Sequence, residues 1–125
     1  MKGYILVFLG AGLGGALRHL TNVLTTRVGS DLRVSTLLVN VVGSLALGVI
    51  AGYFALRGHG SQALQLFLTT GILGGFTTFS AFSLEAALMW ERGQILACAV
   101  FVGASVVLSI AAVFAGLALV RGHAV

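Results

Sequence analysis

Thr69–Glu85 reads TTGILGGFTTFSAFSLE, and the fold of the chain turns on the middle of that stretch. The residues around it are apolar enough to lie in lipid. Gly74–Ser80 nevertheless holds two adjacent glycines, two adjacent threonines and a serine. Glycine is the poorest helix former after proline, and Ser and Thr hydroxyls compete for backbone hydrogen bonds. The helix is expected to break there. Inside a bilayer, non-helical backbone survives only where protein buries it or where it lines a polar cavity. A broken helix at membrane depth leaves amides and carbonyls free to face an ion or a substrate. Phe79 and Phe82, three residues apart, share one face of the helix that resumes.

Of the 125 residues, 58% are hydrophobic and 8% charged. Soluble domains carry roughly 25% charged residues, so this is the composition of an integral membrane protein embedded in a lipid bilayer. The 18 glycines, about twice the usual share of ~7%, suit helices that pack closely in lipid. With no proline in the chain, glycine has to supply any break. The single cysteine, Cys98, excludes an intrachain disulfide and reads as a small buried apolar residue. The net charge of +4 forms no basic cluster, which fits interfacial Lys and Arg and leaves no footprint for nucleic acid. Lys2 opens the chain as it would a signal peptide. The apolar stretch behind it is long and lacks a small-x-small cleavage site, so it is kept as a span.

Four spans of ~20 residues or more fit, at Gly3–Thr26, Val34–Leu56, Gln62–Trp90 and Gln94–Val120, within a single four-helix transmembrane domain over residues 1–125. Links of a few residues make neighbouring helices antiparallel. The third span is centred at about Phe76, which sets its break near the bilayer midplane.

Gly10, Gly12 and Gly15 match G-x-G-x-x-G, but the dinucleotide reading needs a strand before the motif, and an all-α chain has none. Gly10/Gly14, Gly48/Gly52 and Gly71/Gly75 are instead small-residue faces for close helix packing. Arg18 interrupts the first span. Two readings of it stand: it snorkels to the nearer interface, or it draws anions towards a vestibule. His19 and Asn22 beside it read as interfacial. Thr36, Asn40 and Ser44 follow at steps of four and make one face of the second span polar. Asn40 either bonds a neighbouring helix or donates to an anion. Phe101, Ser105 and Ser109 repeat the pattern on the fourth span. Glu85 is either a vestibule group or an interfacial one.

With the N-terminus on side one, that side holds Lys2, Arg57 and Arg121, and side two holds Arg27, Arg33 and Arg92. A count of three against three gives no preferred orientation, so copies can insert both ways and pair as an antiparallel dimer. Four helices make a solid bundle with little room for water, which moves any pore to an interface between subunits.

Together these residues resemble the Fluc (CrcB-type) fluoride channels along essentially the whole chain. The resemblance is carried by Gly74–Ser83 with Glu85 after it, and by Thr36 and Asn40 in the second span. The run Gly14-Gly15-Ala16-Leu17-Arg18 and the run Gly103-Ala104-Ser105 support it. It implies a dual-topology homodimer in the inner (plasma) membrane, with two passive pores that export fluoride. On the family pattern Phe79 and Phe82 line the pores, Asn40 donates to the ion, and Thr36, Ser105 and Ser109 extend a polar path. The backbone carbonyls of Gly74 and Thr77 from both subunits would hold a structural sodium ion, and Arg18 and Glu85 would stand in the vestibule. Ala81 stands where many relatives carry Thr, and Phe101 where some carry Tyr.

Other classes fit less well. A small proton-coupled multidrug exporter also uses four short spans, but it needs a deep carboxylate, typically in the first span. Here that span holds Arg18 instead, which repels cations. A non-transporting membrane assembly subunit would not need polar stripes together with a broken helix. An enzyme is not expected: His19, His59 and His123 sit at ends and links, and Asp31, Glu85 and Glu91 form no catalytic pair.

Overall fold

The computed structural model describes residues 1–57 and 60–124, and every regular element in it is helical. His59 and the side chain of His123 lie outside the described residues. α1 (Lys2–Arg27) has 26 residues, ~39 Å at 1.5 Å per residue, enough to cross a hydrocarbon core of ~30 Å. It ends where Gly29 turns to φ +83°, with Gly29 N donating to Thr26 O and Ser30 N to Thr25 O. This is a Schellman close, a conformation that glycine adopts without a Cβ clash. Asp31 then starts α2 (Leu32–Arg57) by accepting from Arg33 N at 3.1 Å. The Arg33 side chain also bonds Asp31 and holds its carboxyl below the usual carboxylate range.

The third membrane segment is built in pieces. α3 (Gln62–Leu66) is capped by Ser61, whose hydroxyl accepts from Leu64 N at 3.1 Å. A π-helical stretch, Phe67–Leu73, follows, and then the short α4 (Gly74–Phe76). Thr77 and Thr78 have extended backbones, with ψ of 160° and 119°, before α5 (Phe79–Glu91) resumes. The break therefore falls inside the Gly74–Ser80 stretch, as expected. The π-helical turns had no counterpart in the sequence reading. A second Schellman close at Gly93, φ +77°, leads into α6 (Ile95–Ala124). Among the described residues, four helical stretches are long and apolar enough to cross a membrane: Lys2–Arg27, Leu32–Arg57, Gln62–Glu91 and Ile95–Gly122.

Packing inverts the pattern of a soluble domain. The buried side chains include Thr25, Ser35, Thr36, Thr78 and Ser105, while Phe8, Leu96 and Phe114 point outwards. That is how helices sort when the solvent is lipid. Without a hydrophobic force between helices, close backbone contact and hydrogen bonds hold them together. α1 lies against the third segment through the expected glycine faces. A Cβ at Gly10 would come within 2.8 Å of Phe67 O and 2.9 Å of Gly71 Cα, and one at Gly14 would collide with Ile72 O. Gly48 and Gly116 bring α2 and α6 together in the same way, against the Val113 and Leu45 carbonyls. Cys98 is half-buried rather than buried, and its thiol donates to Ala86 O at 3.3 Å.

The glycine contacts make a measurable contrast on one helix. Gly14→Ala drives a methyl into backbone that has no room to yield, and it should destabilise the protein by about 1–3 kcal/mol. Gly12→Ala meets nothing within 4 Å and should be neutral or slightly stabilising. Thermal unfolding in detergent compares the two. Equal behaviour would mean that the α1 contact is looser than its geometry.

Candidate functional site

The site begins with the broken backbone. Asn40, on the polar face of α2, donates from Nδ2 to Thr78 O at 3.0 Å and accepts from Thr78 N at 2.8 Å. One side chain thus satisfies both polar groups of an extended residue inside the bundle. Thr78 in turn caps α5, its hydroxyl accepting from Ala81 N at 3.1 Å. An unbroken helix would have given the Thr78 N–H to Gly74 O and the Ala81 N–H to Thr77 O. Both donors are diverted. Gly75 O, the carbonyl next to Gly74, accepts from Arg18 Nε at 3.1 Å. Among the described residues, the carbonyls of Gly74 and Thr77 accept no hydrogen bond, and both residues line a cavity.

That cavity, of about 440 Å³, is bordered by α2, the third segment and α6. Asn40, Phe79, Phe82, Ser105 and Ser109 stand around it with Gly74 and Thr77. It opens on the protein surface at Phe79, which is 79% exposed. The Phe79 and Phe82 ring centroids are 5.4 Å apart. Among the described residues, the buried Ser105 hydroxyl has no hydrogen-bond partner. A buried, unpaired hydroxyl is costly and calls for an explanation in terms of what it faces.

Thr36, Arg18 and Glu85 are not part of that group. They meet in a second, inner cavity of about 140 Å³, with Asn22, Thr78 and Ala81 also on its wall. Thr36 Oγ1 donates to Glu85 Oε1 at 2.8 Å, while buried Glu85 Oε2 has no partner among the described residues. Arg18 does not snorkel away: its guanidinium reaches inward to the break. Asn22 faces into the bundle, where its side-chain carbonyl takes the hydroxyl of fully buried Ser35. His19 is exposed. Thr78 borders both cavities, so the break is the partition between them.

Three residues escaped the sequence reading. Thr78 was counted only as a helix competitor, although a Thr directly before a resuming helix is an N-cap signature. Thr69 reaches the larger cavity from the π-helical stretch, which has no compositional signal of its own. Gly43 admits the Thr77 methyl beside the break, and its spacing of three from Asn40 is the only clue to that contact.

Fold and site together define a four-span helical membrane protein whose broken helix separates two cavities. The family model described as CrcB-like protein, Camphor Resistance (CrcB) matches residues 5–117, and the chain belongs to that family. It is 54% identical over 121 residues to the fluoride-specific ion channel FluC of Methylobacterium nodulans, covering 97% of this chain and 98% of the relative. The protein of the same name from Rhodopseudomonas palustris is 56% identical over 119 residues, covering 94% and 96%. That from Granulibacter bethesdensis is 48% identical over 122 residues, covering 97% and 96%.

The Asn40 clamp is open to direct measurement. Asn40→Leu, which keeps the branched shape but no polar atom, strands the N–H and C=O of Thr78, at about 1–3 kcal/mol for each unsatisfied group. Arg18→Met strands only Gly75 O and should cost less. Unfolding midpoints in detergent should fall in that order, with Asn40→Leu lowest. A midpoint for Asn40→Leu equal to that of the unmodified protein would show that the clamp contributes nothing.

Proposed function

We propose that this chain conducts fluoride passively across the inner (plasma) membrane as an antiparallel, dual-topology homodimer, and so lowers fluoride in the cytoplasm. The observation that carries the reading is the surface-open cavity in which the unpaired Ser105 hydroxyl meets Asn40, Phe79, Phe82 and Ser109. Fluoride is small and strongly hydrated, so a selective path has to replace its water with close donors. Asn40 spends one amide hydrogen on Thr78 O and keeps the other. The serine hydroxyls supply further donors. Phenyl rings have electropositive edges, so Phe79 and Phe82 can meet an anion edge-on and offer a cation less. The names of the relatives, fluoride-specific ion channels, support the same ion.

A second copy is the natural cover for the open side of the cavity. The equal distribution of Lys and Arg between the two sides permits that copy to insert the other way up. Two copies about a twofold axis would bring four neutral carbonyl oxygens, from Gly74 and Thr77 of each, around one point. Such a set fits a monovalent cation, and sodium bound there would serve as a structural bridge. Arg18 and Glu85, with Thr36, form the vestibule of this reading. A proton-coupled exporter is the weaker alternative, because α1 offers Arg18 where that chemistry needs a carboxylate.

Efflux from liposomes carrying the purified protein tests the ion. Fluoride should leave rapidly and chloride should not, without need of a proton gradient. Phe79→Ile or Phe82→Ile should slow fluoride on the order of tenfold or more, the scale of losing an interaction of 1.4 kcal/mol in the path. Chloride efflux as fast as fluoride efflux would end the proposal.

Topology and sodium are tested on one pair of variants. Two lysines added after Arg57 should bias insertion and abolish activity on their own. A partner with two lysines added between Arg27 and Arg33 should restore activity on co-expression. Sodium-free preparation should lower the flux of the restored pair. Full activity of either biased variant alone would exclude the antiparallel dimer, and flux indifferent to sodium would exclude the bridging ion.

A further inference from the structure

Phe101 is the inner end of a row of three rings. The Phe82 and Phe101 centroids are 5.3 Å apart with ring planes at 37°, continuing the Phe79–Phe82 contact of 5.4 Å. Exposure falls along the row, from Phe79 at 79% through half-buried Phe82 to Phe101 at 8%. Phe79 and Phe82 border the larger cavity, whereas Phe101 does not. Phe101 stands four and eight residues before Ser105 and Ser109 on α6. The helix face that presents the hydroxyls therefore also sets a ring behind Phe82.

On the cavity side Phe82 is met by the exposed Phe79 ring, and on its inner side by the buried Phe101 ring. We infer that Phe101 is a positioning residue for the proposed fluoride path, holding the Phe82 ring so that its electropositive edge meets the cavity. Ring pairs prefer offset and edge-to-face geometries over free rotation, and a backstop buried in the bundle is itself immobile. The contact uses the ring alone, so a tyrosine at this position would serve the same purpose. This inference rests on the proposed function, since an oriented ring matters only if an ion passes it.

Liposome efflux of fluoride is measured for the unmodified protein, Phe82→Ile, Phe101→Leu, Phe101→Tyr and the double variant Phe82→Ile/Phe101→Leu, with an unfolding midpoint for each. Phe101→Leu should slow fluoride about threefold to tenfold, the scale of one ring–ring contact, and Phe101→Tyr should stay within about twofold of the unmodified protein. The double variant should be no slower than Phe82→Ile, because the ring to be held is gone. A residue that served the core alone would lower the midpoint and would multiply its effect with that of Phe82→Ile. Unimpaired flux in Phe101→Leu, or effects that multiply, overturns the inference and leaves the pore standing. Unimpaired flux in Phe82→Ile, or no fluoride flux at all, overturns the pore reading and the inference with it. If the leucine variant fails to fold, Phe101→Met takes its place with the same expectations.

Discussion

Two hydrogen bonds between Asn40 and the backbone of Thr78 are the constraint on which the rest depends. A membrane interior offers no water to a peptide group that leaves its helix, and each orphaned group there costs several kcal/mol. Asn40 is an amide, a donor and an acceptor on one planar group, so a single residue serves both sides of Thr78. With Thr78 held extended, α5 starts at Phe79 and the two rings point at the cavity. The carbonyls of Gly74 and Thr77 are freed as a by-product of the same diversion.

The opposite side of the break is held by α1, in two ways. Glycines let its backbone touch the backbone of the third segment, a contact that no larger residue permits. Arg18, one turn beyond Gly14, then reaches the Gly75 carbonyl. A charge in the middle of an apolar span is expensive unless it finds partners, and here its partner is a carbonyl that would otherwise be orphaned. The intramembrane charge and the broken backbone thus answer each other's need.

Much of this was legible in the sequence, for physical reasons that can be named. Gly74–Ser80 advertises a break because glycine and hydroxyl residues are poor helix formers at any depth. The glycine pairs advertise contact because a spacing of four is one helix face. Other features were closed to it. Periodicity shows that Asn40 and Thr36 share a face, but not that the acceptor of one lies 38 residues away while the other turns to Glu85 in a different cavity. Asn22 beside Arg18 looked interfacial because its neighbours are polar. Its partner is Ser35, on the following helix and invisible to any local pattern. An i→i+5 register carries no residue signature either, so Phe67–Leu73 reads as ordinary helix.

That π-helical stretch has a consequence of phase. A π-turn holds one residue more than the α-turn it replaces. Rebuilt as uninterrupted α-helix, Phe67–Leu73 would leave its two ends about 100° out of step. Gln62–Leu66 and Gly74–Phe76 could not then both keep their present faces. The third segment stores an extra residue as rotation rather than as a loop. It thereby lets Thr69 reach the cavity while Gly71 and Gly75 stay pressed against α1. A chain can take up an extra residue inside a membrane in this way without leaving its helix for a loop.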